Sequence, residues 1–354
     1  MSTPRGVLLF GAALVVAVFA GVGTYLATSS TSTPTTEQTL CIPNWPGECE
    51  MAEFETLAET DPGAALVAYR TQSQTNPQLR EQCHGVFHAI GHGAARGNKD
   101  TWAIFMLGNG ECNWGYIHGI VEQELGESVQ SAVDRAEALC VPPAKYTDDP
   151  ALSDLVGGVR GNCVHGTGHA LFKAAQTPIE AEKGCRASFT NPADELDCID
   201  GMIMEFGGSE AARNGLYPDL CSNIGDDAKH FCYRSIPLTW FNQTGGDYDA
   251  VFSRCTAAEN AELVDTCVYG AGNLFTAQMG FDLIESSALC LKQPSMQVRQ
   301  CLLGAVAAGA LGLNQGVLTQ AELDQFIANS PNPAWAADLR EEVLTVSKGF
   351  GKAT

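Results

Sequence analysis

The sequence predicts an all-α protein: disulfide-stapled helix hairpins, repeated into an α-solenoid or a closed helical toroid, behind an N-terminal transmembrane helix. Three observations predict this. A charge-free apolar run opens the chain, all 14 cysteines follow it, and most of those cysteines recur with a period near 34 residues. Periods of that length belong to helix–turn–helix repeats.

Residues 1–6 form a short N-terminus on the cytoplasmic side, and residues 7–27, VLLFGAALVVAVFAGVGTYLA, carry no charge. A run of ~20 apolar residues matches a membrane helix, and Arg5 ahead of it favours an inward N-terminus. The rival reading is a cleaved signal peptide, with small residues at AVFAG for a cut. Either way the rest is exported, facing the periplasm or the extracellular space. Residues 28–40 read as a Ser/Thr-rich linker, residues 41–316 as the cysteine-rich helical domain, and residues 317–354 as a C-terminal helical cap. Thr319 and Glu322 have the spacing of a capping box.

One cysteine series is Cys163, Cys198, Cys232, Cys267 and Cys301, and a second is Cys185, Cys221, Cys255 and Cys290. Segments ahead of the second series read as helices, as in FDLIESSALC. Segments after the first are apolar and small, as in CLLGAVAAGALGL. Polar or Gly/Pro/Asp-rich connectors lie between. Each unit therefore reads as helix, cysteine, loop, cysteine, helix. An even cysteine count in an exported chain implies disulfides. The expected pairs are Cys185–Cys198, Cys221–Cys232, Cys255–Cys267 and Cys290–Cys301, with Cys140–Cys163 across a longer loop. Cys83–Cys112 and Cys41–Cys49 follow by elimination. In the chain-entropy description, closing such a short loop contributes roughly 3 kcal/mol per bridge. No CxxC pair occurs, which argues against zinc ribbons, thioredoxin-type sites and c-type haem attachment.

In period and cysteine placement, residues 80–315 resemble the bacterial cysteine-rich, tetratricopeptide-like helical repeat proteins. The resemblance implies a curved array of helix hairpins and no particular activity. The tetratricopeptide signature of Trp, Leu-Gly, Tyr and Pro is absent.

Seven windows align on the glycine that follows the first-series cysteine: HGVFH (84–88), WGYIH (114–118), HGTGH (165–169), DGMIM (200–204), RSIPL (234–238), YGAGN (269–273) and LGAVA (303–307). Glycine holds the second place in six of them. Its cost of about 1 kcal/mol in a helix suggests close helix–helix approach. The fifth place reads His88, His118, His169, Met204, Leu238, Asn273, Ala307. The first reads His84, Trp114, His165, Asp200, Arg234, Tyr269, Leu303. Five of the seven histidines thus fall on two equivalent positions in the first three units. His92 and Glu122 lie seven residues beyond their glycines.

Spacings of i, i+4 put these side chains on one face, and stacking brings equivalent faces together. Neutral imidazole is the commonest metal ligand. The expected ligands of a divalent transition metal are His84, His88, His118, His165 and His169, with Glu122, His92 and Asp200 as further candidates. Zinc is the first choice, and copper or iron also suit imidazole. Glu122 or Glu124 would be the base if the metal activated water. HExxH, GxSxG and a P-loop are absent, so no reaction is named and enzyme status stays open. The alternative is a scaffold that holds a protein, peptide or glycan in the repeat groove without metal. A net charge of −21, from 41 acidic against 20 basic residues, argues against nucleic acid as a partner.

Overall fold

Short polar side chains mark where helices begin. Asp61, Ser128, Thr177, Asp247, Asn260 and Asp282 each accept a backbone N–H from the turn that follows, satisfying one of the donors a helix start leaves open. Thr319 and Glu322 form the expected capping box. The computed structural model describes residues 48–349, apart from 77, 78, 81 and 315. All regular structure among the described residues is helical. The expected membrane segment 7–27, the expected linker and, through Cys41, the expected Cys41–Cys49 bridge lie outside the described residues.

Helices of eight or more residues run α1 (Glu48–Thr60), α2 (Pro62–Ser73), α3 (Cys83–Gly97), α4 (Gly115–Leu125), α5 (Val129–Cys140), α6 (Ser153–Ala175), α7 (Pro178–Ser188) and α8 (Pro192–Gly208). They continue as α9 (Lys229–Gln243), α10 (Tyr248–Cys255), α11 (Ala261–Gln278), α12 (Leu283–Cys290), α13 (Ser295–Asn314), α14 (Gln320–Ala328) and α15 (Ala336–Gly349). Two layers alternate along the chain. α3, α4, α6, α8, α9, α11 and α13 pack side by side, each against the next, and the shorter α5, α7, α10 and α12 pack onto them. α13 also reaches the 3-10 turn Glu111–Trp114 ahead of α4, where Asn314 Nδ2 donates to Gly110 O at 2.8 Å. Among the described residues only α13 is long and apolar enough to cross a membrane, and 67% of it is buried in the fold, so it serves as a core helix.

Among the described residues five disulfides hold the first layer: Cys140–Cys163, Cys185–Cys198, Cys255–Cys267 and Cys290–Cys301 tie it to α5, α7, α10 and α12, and Cys221–Cys232 ties α9 to the short helical turn Leu220–Asn223. Four of them span only 11 to 13 residues, so each locks a first-layer helix to the segment just before it. Such bonds form and persist in oxidising, extracytoplasmic compartments. The expected Cys83–Cys112 bridge is absent, and both residues are buried thiols. The Cys112 thiol donates to the Tyr69 hydroxyl at 3.7 Å, and burial leads the effects that push its pKa far up. Elimination assumed that every cysteine is cross-linked. These two lie on adjoining elements, α3 and the turn before α4, and not across a two-layer hairpin.

The recurring glycines set the spacing of the first layer. A Cβ on Gly201 would run into the carbonyl oxygen of His165, one on Gly270 into that of Arg234, and one on Gly304 into that of Tyr269. In each case the oxygen belongs to the residue just before the equivalent position on the preceding helix. Gly115 repeats the contact with His84 O at 2.6 Å. The fifth window has Ser235 in place of glycine, and its hydroxyl reaches Asp200 Oδ1 at 3.2 Å instead.

Candidate metal centre

Because successive helices meet at equivalent residues, their histidine faces converge. The ring centroids of His88 lie 4.6 Å from His84, 5.5 Å from His118 and 5.5 Å from His169. His118 and His169 are 4.9 Å apart. What the cluster can bind depends on which nitrogen of each ring carries a proton, and the neighbours decide that.

His84 Nδ1 lies 2.8 Å from the carbonyl oxygen of Cys112. A carbonyl only accepts, so Nδ1 holds the hydrogen and Nε2 the lone pair. His88 Nδ1 lies 3.1 and 3.2 Å from the two oxygens of Glu122. Burial works against the Glu122 carboxylate, but His88 and its other histidine neighbours hold its pKa well below the usual range. It is ionised, His88 Nδ1 donates to it, and the lone pair of His88 is again on Nε2. The two Nε2 atoms face each other at 3.1 Å. A second proton would let one donate to the other. Burial and then the neighbouring His88 lower His84 to about 3, and burial likewise lowers His88. At neutral pH two lone pairs therefore point at one spot. Two nitrogens on one tetrahedral ion at ~2.05 Å would sit about 3.3 Å apart.

His118 and His169 add to this. His118 Nε2 lies 3.2 Å from Asn162 Oδ1, and Asn162 Nδ2 donates to Gly158 O at 2.9 Å, which fixes the way the amide faces. That leaves the lone pair of His118 on Nδ1, which is buried without a partner. His169 Nδ1 lies 3.0 Å from Glu205 Oε2 and 3.3 Å from Glu122 Oε1, and its Nε2 is also buried without a partner. One atom from each of His84, His88 and His118 lies within 4.8 Å of the others, as does one from each of His88, Glu122 and His169. These groups can hold a metal ion. The donors are imidazole nitrogens backed by a carbonyl, an amide and carboxylates, the outer ring that orients histidine ligands. Such a set suits zinc, copper or iron rather than magnesium or calcium.

Glu122 is the hub of that outer ring. Its side chain is 2% exposed and meets His88, His169, His92 Nε2 at 2.7 Å and Lys173 Nζ at 2.7 Å. His92 is thus turned to the carboxylate. His165 Nδ1 lies 3.7 Å from Asp197 and 3.8 Å from Asp200, and these three form a separate group within 4.8 Å. Asp200 is also engaged by Arg234 Nη2 at 2.6 Å. Sequence reasoning missed Lys173, Glu205, Asn162, Asp197 and the Cys112 carbonyl. Lys173 carried a signal: it lies seven residues after Gly166, the place that His92 and Glu122 hold in their helices. Glu205 follows Met204 among small and apolar residues and carried none.

These environments set a pH dependence for the metal-free chain. Burial holds His84, His88 and His118 neutral, so their contribution is full above the unfolded value of about 6.5 and is lost as pH falls below it, for His84 as pH nears about 3. His169 is opposite in sign. Burial opposes its charge, but Glu122 and Glu205 outweigh that and carry it up to about 9. Its contribution is full below 6.5 and is lost as pH rises through 9. Metal-stripped protein is expected to melt at its highest temperature near pH 6.5–7 and lower on either side. A melting temperature that climbs steadily from pH 5 to 9 would contradict the assignment of His169.

Comparison with protein-family models, with curated proteins and with solved structures finds no match to the chain.

Proposed function

We propose that the protein is an extracytoplasmic metal protein that holds one divalent transition metal, zinc first among the candidates. The ligands are Nε2 of His84, Nε2 of His88 and Nδ1 of His118; His169 Nε2 becomes a fourth donor when the ion displaces the proton that Glu122 and Glu205 hold on that ring. The observation that carries the reading is the 3.1 Å approach of the two Nε2 atoms, on rings whose Nδ1 atoms are already taken by the Cys112 carbonyl and the Glu122 carboxylate. Residues 7–27 serve as the membrane anchor, supported by their uncharged apolar run behind Arg5. The helical layers make a closed toroid of tetratricopeptide-like hairpins. The contact of Asn314 with Gly110, from the last first-layer helix to the turn ahead of α4, supports closure.

His118 and His165 also line a cavity, so a metal at this place is reachable by a small molecule. It would supply Lewis-acid character or an activated water. That favours a metal-dependent enzyme over a carrier that encloses its cargo. The metal-free scaffold is the second reading, favoured by Lys173, whose ammonium already neutralises Glu122.

Elemental analysis of protein purified without added metal tests the proposal. About one equivalent per chain is expected, removable by a chelator and replaceable by cobalt with the visible spectrum of a nitrogen-ligated, four-coordinate ion. Folded protein that arrives metal-free and takes up neither zinc nor cobalt at micromolar concentration would leave the scaffold standing.

A further inference from the structure

The fifth-place positions that bring histidines together in the first three units continue around the fold with different chemistry. A cavity of about 490 Å³ lies among the first-layer helices, within the ~300–1,000 Å³ usual for small-molecule sites. Its polar lining includes His118, Asn162, His165, Asp200 and Asn273. Its apolar lining includes Met204, Leu238 and Ala307, three of the fifth-place residues, with Leu274 and Leu311. Met204 lies one turn along α8 from Asp200, and Leu238 one turn along α9 from Arg234, so the cavity sets apolar side chains directly beside charged ones.

Arg234 lines the same cavity. Its Nη2 is held by Asp200 at 2.6 Å, which fixes the guanidinium in place. Its Nη1 and Nε make no hydrogen bond within the described residues, and the side chain remains 40% exposed. A positioned guanidinium with free N–H groups is suited to a carboxylate, which it can grip with two parallel bonds. Lysine would offer only a point charge.

We infer that this cavity binds a small amphipathic carboxylate, its head on Arg234 and its hydrocarbon chain against Met204, Leu238, Leu274, Ala307 and Leu311. The inference names a ligand class for the site proposed above and rests on that reading only for what a metal would do to the ligand. Binding itself calls on Arg234 and the apolar wall.

The probe is a series of straight-chain fatty carboxylates from hexanoate to decanoate, below micellar concentration, titrated calorimetrically into the full chain. Decanol and decylamine are the controls. Saturable 1:1 binding is expected, tightening about fourfold per added methylene, with decanoate at least tenfold tighter than either control. Leu238→Glu, which places a charge on the half-buried apolar wall, and Arg234→Lys, which keeps the charge opposite Asp200 but loses the fork, are each expected to weaken decanoate by tenfold or more. Both are checked for native melting behaviour. Decanol binding as tightly as decanoate, no dependence on chain length, or folded variants that bind as well as the unaltered chain would overturn the inference. Metal content read on the same samples separates the two claims. Carboxylate binding by metal-free protein sinks only the metal, and a metal-loaded chain that ignores carboxylates sinks only this inference.

Discussion

A His88→Ala variant is expected to retain less than about one tenth of the metal of the unaltered chain, a loss of affinity above ~100-fold. The bound on the magnitude comes from outer-ring residues, whose removal alone typically costs 10–100-fold. His88 is the severest single choice because it belongs to two of the three groups that can hold an ion among the described residues, with His84 and His118 in one and with Glu122 and His169 in the other. Its loss also frees one of the four cationic or N–H neighbours of Glu122, leaving a buried carboxylate less well matched. Glu122→Gln should act more weakly, within the 10–100-fold range, because the amide still accepts from His88 but no longer carries charge. His230→Ala is the control: it lies on α9 with Thr266 as its partner at 3.1 Å, away from the cluster, and should leave metal content unchanged. Equal metal in His88→Ala and the unaltered chain would refute the ligand assignment.

The second large effect concerns the fold. Gly270→Ala is expected to destabilise the protein by about 2 kcal/mol, read by thermal or chemical unfolding with the disulfides intact. The added methyl would meet the backbone carbonyl of Arg234 on the neighbouring helix, and a backbone atom cannot swing aside as a side-chain tip can. Overpacking of this kind costs about 1–3 kcal/mol or more, while the gain in helix propensity offsets only about 1 kcal/mol. Gly304→Ala, against the carbonyl of Tyr269, should behave alike. Gly157→Ala supplies the opposite sign. It is an exposed position inside α6 where a Cβ would meet nothing within 4 Å, so only the propensity gain remains and stability should rise by up to about 1 kcal/mol. If Gly270→Ala and Gly157→Ala shift stability equally, glycine contact does not set the spacing of the first layer.

Much of the architecture was legible because it rests on local chemistry repeated at a fixed interval. A cysteine that ends one helix and another that begins the next can be paired by counting, and Cys255–Cys267 or Cys290–Cys301 need only a short connector to meet. Thr319 and Glu322 act across three residues, so their capping box is visible in the sequence as well. Counting failed at Cys83 and Cys112: Cys112 holds the first-series place three residues before Gly115, but no cysteine ends a second-layer helix ahead of it, and both stay thiols. It also could not tell that Asp200 would be taken by Arg234 and Ser235, or that His92 would turn to Glu122.

By itself, then, the sequence determined the helical class, five cross-links, and which helix faces carry imidazoles, because each follows from periodicity along one chain. Only the tertiary structure decided which nitrogen of each ring is available. That depends on what the other nitrogen meets. The Cys112 carbonyl meets His84 from 28 residues away, Glu122 meets His88 from 34, and Asn162 meets His118 from 44. A proton's position on an imidazole is set by a contact of about 3 Å, and no spacing within a single helix specifies such a contact between helices.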